Sequence, residues 1–200
     1  MPVHDPEAVL AFWFQPDAEP DEPDAAAAGF PLRRHWFHKD AAFDAGLRER
    51  FEPLIAEALA GGLGDWSATP RGALARVIVL DQFTRNAYRD TPAAFAGDAR
   101  ARATATQAID RGFDRALAPV ERWFLYMPFE HSESLQDQQR SLALFRSLAA
   151  ETGLVAPVDW AERHAEVIRA FGRFPHRNAI LGRSSTPEET AFLRSPGSRF

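Results

Sequence analysis

Apolar positions recur along this chain at spacings of three and four residues, and no segment sustains a two-residue alternation. The pattern therefore predicts an all-α fold with no sheet. Asp5-Pro6-Glu7 reads as a helix start, with Val9, Leu10, Trp13 and Phe14 on the helix that follows. Asp40 is the expected cap of a helix running to Leu59 and closed by Gly61-Gly62; Pro53 is expected to kink or split it. Thr69-Pro70 opens a helix with Leu74, Val77 and Ile78 on one face, and Thr91-Pro92 is expected to open another. Further helices are predicted from Asp98 to near Gly112, over Val120–Met127 after Pro119, and over Leu135–Ala149 after Ser134. Another is expected after Asp159, as its cap, through Phe171. Thr186-Pro187-Glu188-Glu189 has the form of a capping box with proline at the first helical position. Short connections imply antiparallel helical hairpins. The segment from Gln15 to Pro31, rich in Asp, Glu, Pro and Ala, is expected to be a mobile surface excursion rather than a domain boundary. Residues 1–200 are accordingly expected to form one domain.

Against this apolar background three polar segments stand out: Asp81–Asn86, Glu130–Glu133 and Arg173–Arg183. Asp81 follows Leu74 by seven residues, Val77 by four and Ile78 by three, which places it on the buried face of its helix. A buried carboxylate needs a cation or several donors. Arg85 is one turn on, and Arg173, Arg177 and Arg183 are candidates from elsewhere. The pairing would be either a structural ion pair or part of a site. His164 lies on an apolar face with Trp160, Val167 and Phe171, the usual setting of a hydrogen-bonded core histidine. Glu130-His131-Ser132-Glu133 follows Pro128, where the preceding helix should bend or end. Glu130 and Glu133 have an i, i+3 spacing that two metal ligands could use, but no His-x₃-His or Glu-x-x-His pair accompanies them, so no metal is assigned. Glu133 or Ser134 is the expected cap of the next helix. Arg173, His176, Arg177, Asn178 and Arg183 form either an anion pocket or a set of caps and countercharges for Asp81, Glu130 and Glu133.

One short echo runs through the chain. Phe83-Thr84-Arg85-Asn86-Ala87 resembles Phe174-Pro175-His176-Arg177-Asn178-Ala179 with one insertion; each precedes a Thr-Pro start and an Ala-Phe pair. Shared helix-ending chemistry would produce it, because asparagine tolerates the left-handed conformation. So would two related units facing one cavity.

Composition narrows the classes of function. The net charge is −5, which leaves no basic field for nucleic acid. Positive charge is carried by arginine, Lys39 being the only lysine. With no cysteine, disulfides, thiolate nucleophiles and Cys-based metal sites are excluded. The N-terminus lacks a basic stretch before an apolar run, and Val77–Leu80 is far too short to span a bilayer, so no membrane partner is expected and the expected location is cytoplasmic. There is no Gly-x-Ser-x-Gly elbow, phosphate loop or dinucleotide fingerprint, and no cofactor is assigned.

Four blocks carry a resemblance: Val9–Phe14, Leu80–Asn86, Phe124–Glu133 and Phe171–Asn178. They are similar to the signature blocks of the bacterial domain-of-unknown-function 924 family, and the likeness covers nearly the whole chain. Thr84 stands where the family usually has proline. The resemblance implies a tetratricopeptide-like, right-handed stack of helical hairpins and no established activity.

Two functions are expected as alternatives. In the first, a pocket binds a small anionic or polar molecule, with hydrolysis or proton transfer by candidates Glu130, His131 and His176. Asp81, Gln82, Arg85, Asn86, Glu133, His164, Arg173, Arg177, Asn178 and Arg183 would then surround the ligand. In the second, the chain is a protein-interaction module whose polar network is purely structural.

Overall fold

The structure is a computed structural model that describes residues 4–15 and 33–198, together with the backbone of 26–27 and 30–31. Most of the expected surface excursion thus lies outside the described residues. Within it, Ala26–Ala27 pairs antiparallel with Phe30–Pro31, a two-residue ladder in an otherwise helical chain. The helices are α1 (Pro6–Phe14), α2 (Arg34–Phe37), α3 (Ala41–Leu59), α4 (Pro70–Val77), α5 (Thr84–Ala87), α6 (Asp98–Asp110), α7 (Pro119–Glu130), α8 (Leu135–Thr152), α9 (Ala156–Phe171) and α10 (Pro187–Phe192).

The helix starts form where capping chemistry asks for them. The Asp5 carboxylate accepts from Glu7 N at 3.0 Å, Asp40 from Ala42 N and Phe43 N at 2.9 and 3.0 Å, and the Thr69 hydroxyl from Gly72 N at 3.1 Å. Thr186 and Glu189 exchange the reciprocal bonds of a capping box, and Ser134 caps α8. Gly172, at φ 69°, closes α9 in the left-handed conformation and turns the chain into the Arg173–Arg183 segment.

Four elements differ from expectation. α3 runs unbroken through Pro53, because that proline is on the exposed side and the carbonyl it leaves unpaired can meet water. Pro92–Phe95 is a single 3₁₀ turn, not a helix. α9 begins at Ala156, so Asp159 lies in its first turn instead of capping it. α7 continues past Pro128 to Glu130; the missing N–H comes near its end, where buried packing from Trp123 to Phe129 holds the helix.

The core is aromatic. Trp13, Phe51, Phe83 and Phe124 are fully buried, with Trp13 edge-on to Phe124 at 5.6 Å. α4 packs on α1, α6 and α7, and α8 lies between α7 and α9. A smaller cluster of Val167, Ile168 and Phe174, with Phe171 and Phe192, joins α9 to α10. Among the described residues no helix is long and apolar enough to cross a membrane.

The rod from Pro70 to Ala87 positions the first polar segment. α4 passes directly into a π-helical segment, Ile78–Phe83, and then into α5. Such wide turns are rare and often found at functional sites. Thr84 sits at the exit, its hydroxyl donating to Leu80 O at 2.9 Å. Gly97 packs against the same carbonyl so closely that an added Cβ would overlap it. That approach brings the start of α6, and Asp98, to the rod. Gly97→Ala should therefore destabilise the protein by about 1–3 kcal/mol. Gly46→Ala, in exposed and open space on α3, should be neutral or stabilise by up to about 1 kcal/mol. Urea denaturation of both variants checks the contrast.

Candidate functional site

The π segment carries Asp81 into a fully enclosed position. Its carboxylate meets Arg85 Nη1 at 2.9 Å, His131 Nδ1 at 2.9 and 3.0 Å, and Gln82 Nε2 at 2.6 Å. Burial alone would raise the Asp81 carboxyl; Arg85 and His131 outweigh it and hold the group well below the usual carboxylate range. The burial inferred from spacing is therefore correct, and Arg85 is the partner. The Arg173–Arg183 segment does not supply Asp81's direct partners.

His131 caps α7 and is itself mostly enclosed. Burial and then Arg85 lower its pKa, against the pull of Asp81. A neutral ring facing an ionised carboxylate carries its proton on Nδ1, which donates to Asp81, and keeps a lone pair on Nε2. Glu130, the last residue of α7, is buried beside it. Desolvation, with the nearby charge of Asp81, pushes its carboxyl up to about 8. Its Oε1 lies 3.1 Å from His164 Nδ1, which also bonds Trp160 O at 2.8 Å, and its Oε2 has no hydrogen-bond partner. Burial lowers His164 to about 3, so the contact joins two uncharged groups. Among the described residues no arginine pairs with Glu130, contrary to one of the expectations for the basic segment.

Asp98 links the other two segments. Arg85 forks onto it at 2.8 and 3.2 Å, and Arg177 Nη1 reaches it at 3.5 Å. Phe95 lies beneath both guanidiniums, at 5.8 Å from Arg85 and 4.7 Å from Arg177, and Phe174 is 4.5 Å from Arg177. The two echoed segments thus use corresponding arginines on one carboxylate. Their asparagines also correspond: Asn86 donates to Asp44 at 2.7 Å, and Asn178 to Glu189 at 3.1 Å. The backbones differ, being α-helical at Arg85 and 3₁₀ at Pro175–Arg177, so the likeness lies in side-chain use.

Arginines across this region divide sharply. Arg85 forks onto Asp98, Arg89 onto Asp44, Arg173 onto Glu189 and Arg183 onto Glu133. Among the described residues the ion pair of Arg177 is the longer contact to Asp98, and its Nε is buried without a partner. Burial and then Arg85 lower Arg177 to about 10, which leaves it charged at neutral pH.

These residues meet a cleft of about 630 Å³, a size typical of small-molecule sites. Gln82, Arg85, Asn86, Glu130, His131, His164, His176 and Arg177 line it. Asp81 lies behind that lining, whereas Glu133, Arg173, Asn178 and Arg183 are engaged elsewhere. Glu133 accepts from Phe174 N and Arg183, which turns it away from Glu130 and separates the pair considered for a metal. Among the described residues no three acidic or histidine side chains converge as a metal-ligand set. Asp98, Phe95, Trp36, Phe37, Trp123 and Trp160 were not among the sequence candidates. Phe95 had a signal, the Ala-Phe pair of the echo; Asp98 reads in sequence only as a helix start.

Comparison with known proteins places the chain. The family model for a bacterial protein of unknown function, DUF924, matches residues 9–197. The chain belongs to this family. A solved structure of a protein of unknown function from Agrobacterium tumefaciens is 36% identical, with a TM-score of 0.79 over 94% of this chain and 96% of that one. No curated protein matches.

The protonation pattern gives a pH signature. Glu130 binds its proton more tightly folded than unfolded, so its contribution to stability is present below 4.5 and is lost as pH rises toward 8. His164 and His176, lowered by burial to about 3 and about 4, contribute above 6.5 and lose that stability as pH falls. Melting temperature should therefore fall between pH 6.5 and 8 in wild type, and Glu130→Gln should flatten that fall. Asp81→Asn should cost about 1–3 kcal/mol in chemical denaturation, since Arg85 keeps Asp98 but loses one of its two carboxylates.

Proposed function

We propose that the cleft binds a small anionic molecule, with Arg177 as the group that receives its charge. The observation that supports this reading is the incomplete coordination of Arg177. A buried guanidinium prefers paired, planar acceptors, and the neighbouring arginines have them. Arg177 faces the cleft with one 3.5 Å contact and an unpartnered Nε, its plane flanked by Phe95 and Phe174. An anion in the cleft would complete the fork.

The same cleft holds the groups for proton transfer. Glu130 retains its proton to about pH 8 and is the acid; His131, oriented by Asp81, offers Nε2 as the base. Acid and base are adjacent in sequence and face a single bound molecule, which suits hydrolysis or proton transfer on a polar anionic substrate. His176 is neutral and stands at the cleft wall beside Arg177.

A thermal-shift panel of small anions tests the binding. A ligand at about one hundred times its Kd should stabilise the protein by about 2.7 kcal/mol, roughly 5–10 °C for a chain of this size. Arg177→Ala should lose that shift. A panel that moves neither protein would remove the reading.

A further inference from the structure

The cleft combines polar and aromatic lining. The head is formed by Arg85, Arg177, Glu130, His131, His164 and His176. The rest of the lining includes Lys39 and Asp90, paired with each other, as well as Trp36, Phe37, Trp123 and Trp160. Phe37 and Trp160 are 41% and 39% exposed, and they are the only large aromatics among the markedly exposed hydrophobic side chains of the described residues. Both line this cleft. Phe37 stacks on Trp123 at 5.3 Å with the rings 27° apart, extending an apolar surface from the core to the rim. Trp123 is 1% exposed, and its indole N–H has no partner among the described residues. Aromatic surface left open to water is costly, and here it lines the same cleft as the incompletely paired arginine.

Charge at the head limits the anion. Arg85 and Arg177 oppose Asp81 and Asp98 one for one, and the neighbouring histidines and Glu130 are uncharged at neutral pH. A dianion would leave two negative charges in a confined space with no unmatched cation. A monoanion leaves one, and the acid proton of Glu130 supplies a donor to it.

We infer that the ligand is a monocarboxylic acid with a flat apolar body, its carboxylate forked on Arg177 and its body lying along Phe37 and Trp160. This rests on the anion-binding reading of the same cleft and specifies what lies beyond the anion. The carboxylate would accept two parallel N–H bonds from the guanidinium, and the body would cover the exposed aromatic wall.

Isothermal titration calorimetry with four probes tests it on the whole chain: acetate, inorganic phosphate, 4-phenylbutyrate and the neutral 4-phenylbutyramide. The expected result is that 4-phenylbutyrate binds at least about tenfold more tightly than either small anion or the amide. Phe37→Ala and Trp160→Ala change exposed side chains and should leave the fold intact. Each should weaken 4-phenylbutyrate by about threefold or more without changing acetate binding, and Arg177→Gln should weaken every anion. Equal affinity for acetate, phosphate and 4-phenylbutyrate in an Arg177-dependent manner would overturn this inference and leave the anion site standing. Tighter binding of phosphate than of the carboxylates would overturn it in favour of a phosphorylated ligand. Absence of binding by all four probes would overturn this inference, and with a negative anion panel it would overturn the anion site as well.

Discussion

An ionised carboxylate without access to water sets the terms for this structure. Asp81 cannot stay charged where it lies unless other groups replace its lost hydration, and three do so: Arg85, His131 and Gln82. That requirement draws the end of α7 to the middle of the α4–α5 rod. Arg85, shared between Asp81 and Asp98, passes the constraint to the start of α6, and Arg177 joins at Asp98 from the far end of the chain. The three polar segments are neighbours because one buried charge has to be satisfied.

The same charge shapes its surroundings. Burial, and then the fixed negative group of Asp81, make ionisation of Glu130 unfavourable, so two carboxyls in one enclosed region take opposite protonation states. His131 is held in a single tautomer by the ionised one. The proton on Glu130 and the tautomer of His131 are thus both tied to the charge on Asp81.

Helical class and most of the helix starts were legible in the sequence, since apolar period and capping chemistry are local. Asp81 was legible for the same reason: its spacing from Leu74, Val77 and Ile78 is a local fact with a tertiary consequence. Pro53 does not split α3 and Pro128 does not end α7 on the spot, because a proline's effect depends on what lies around the carbonyl it leaves unpaired. Asp98 was invisible as a site residue, as an acid in a first turn usually only complements the helix dipole. The basic segment read as one group of equivalent charges. Only the fold separates Arg173 and Arg183, each spent on a glutamate, from Arg177, which is not. The aromatic wall was likewise beyond reach, because core and rim aromatics look alike until burial is known.

The wide turn at Ile78–Phe83 has a consequence for the two ends of its rod. One extra residue in a helical turn advances everything after it by about 100° around the axis. The rod therefore has two phases. Before the turn its buried stripe is aliphatic and serves the packing of α1, α6 and α7; from the end of the turn onward, Gln82, Arg85 and Asn86 come round to the cleft. Core and site share one continuous helix without competing for the same face, and the offset between them is stored in the backbone itself.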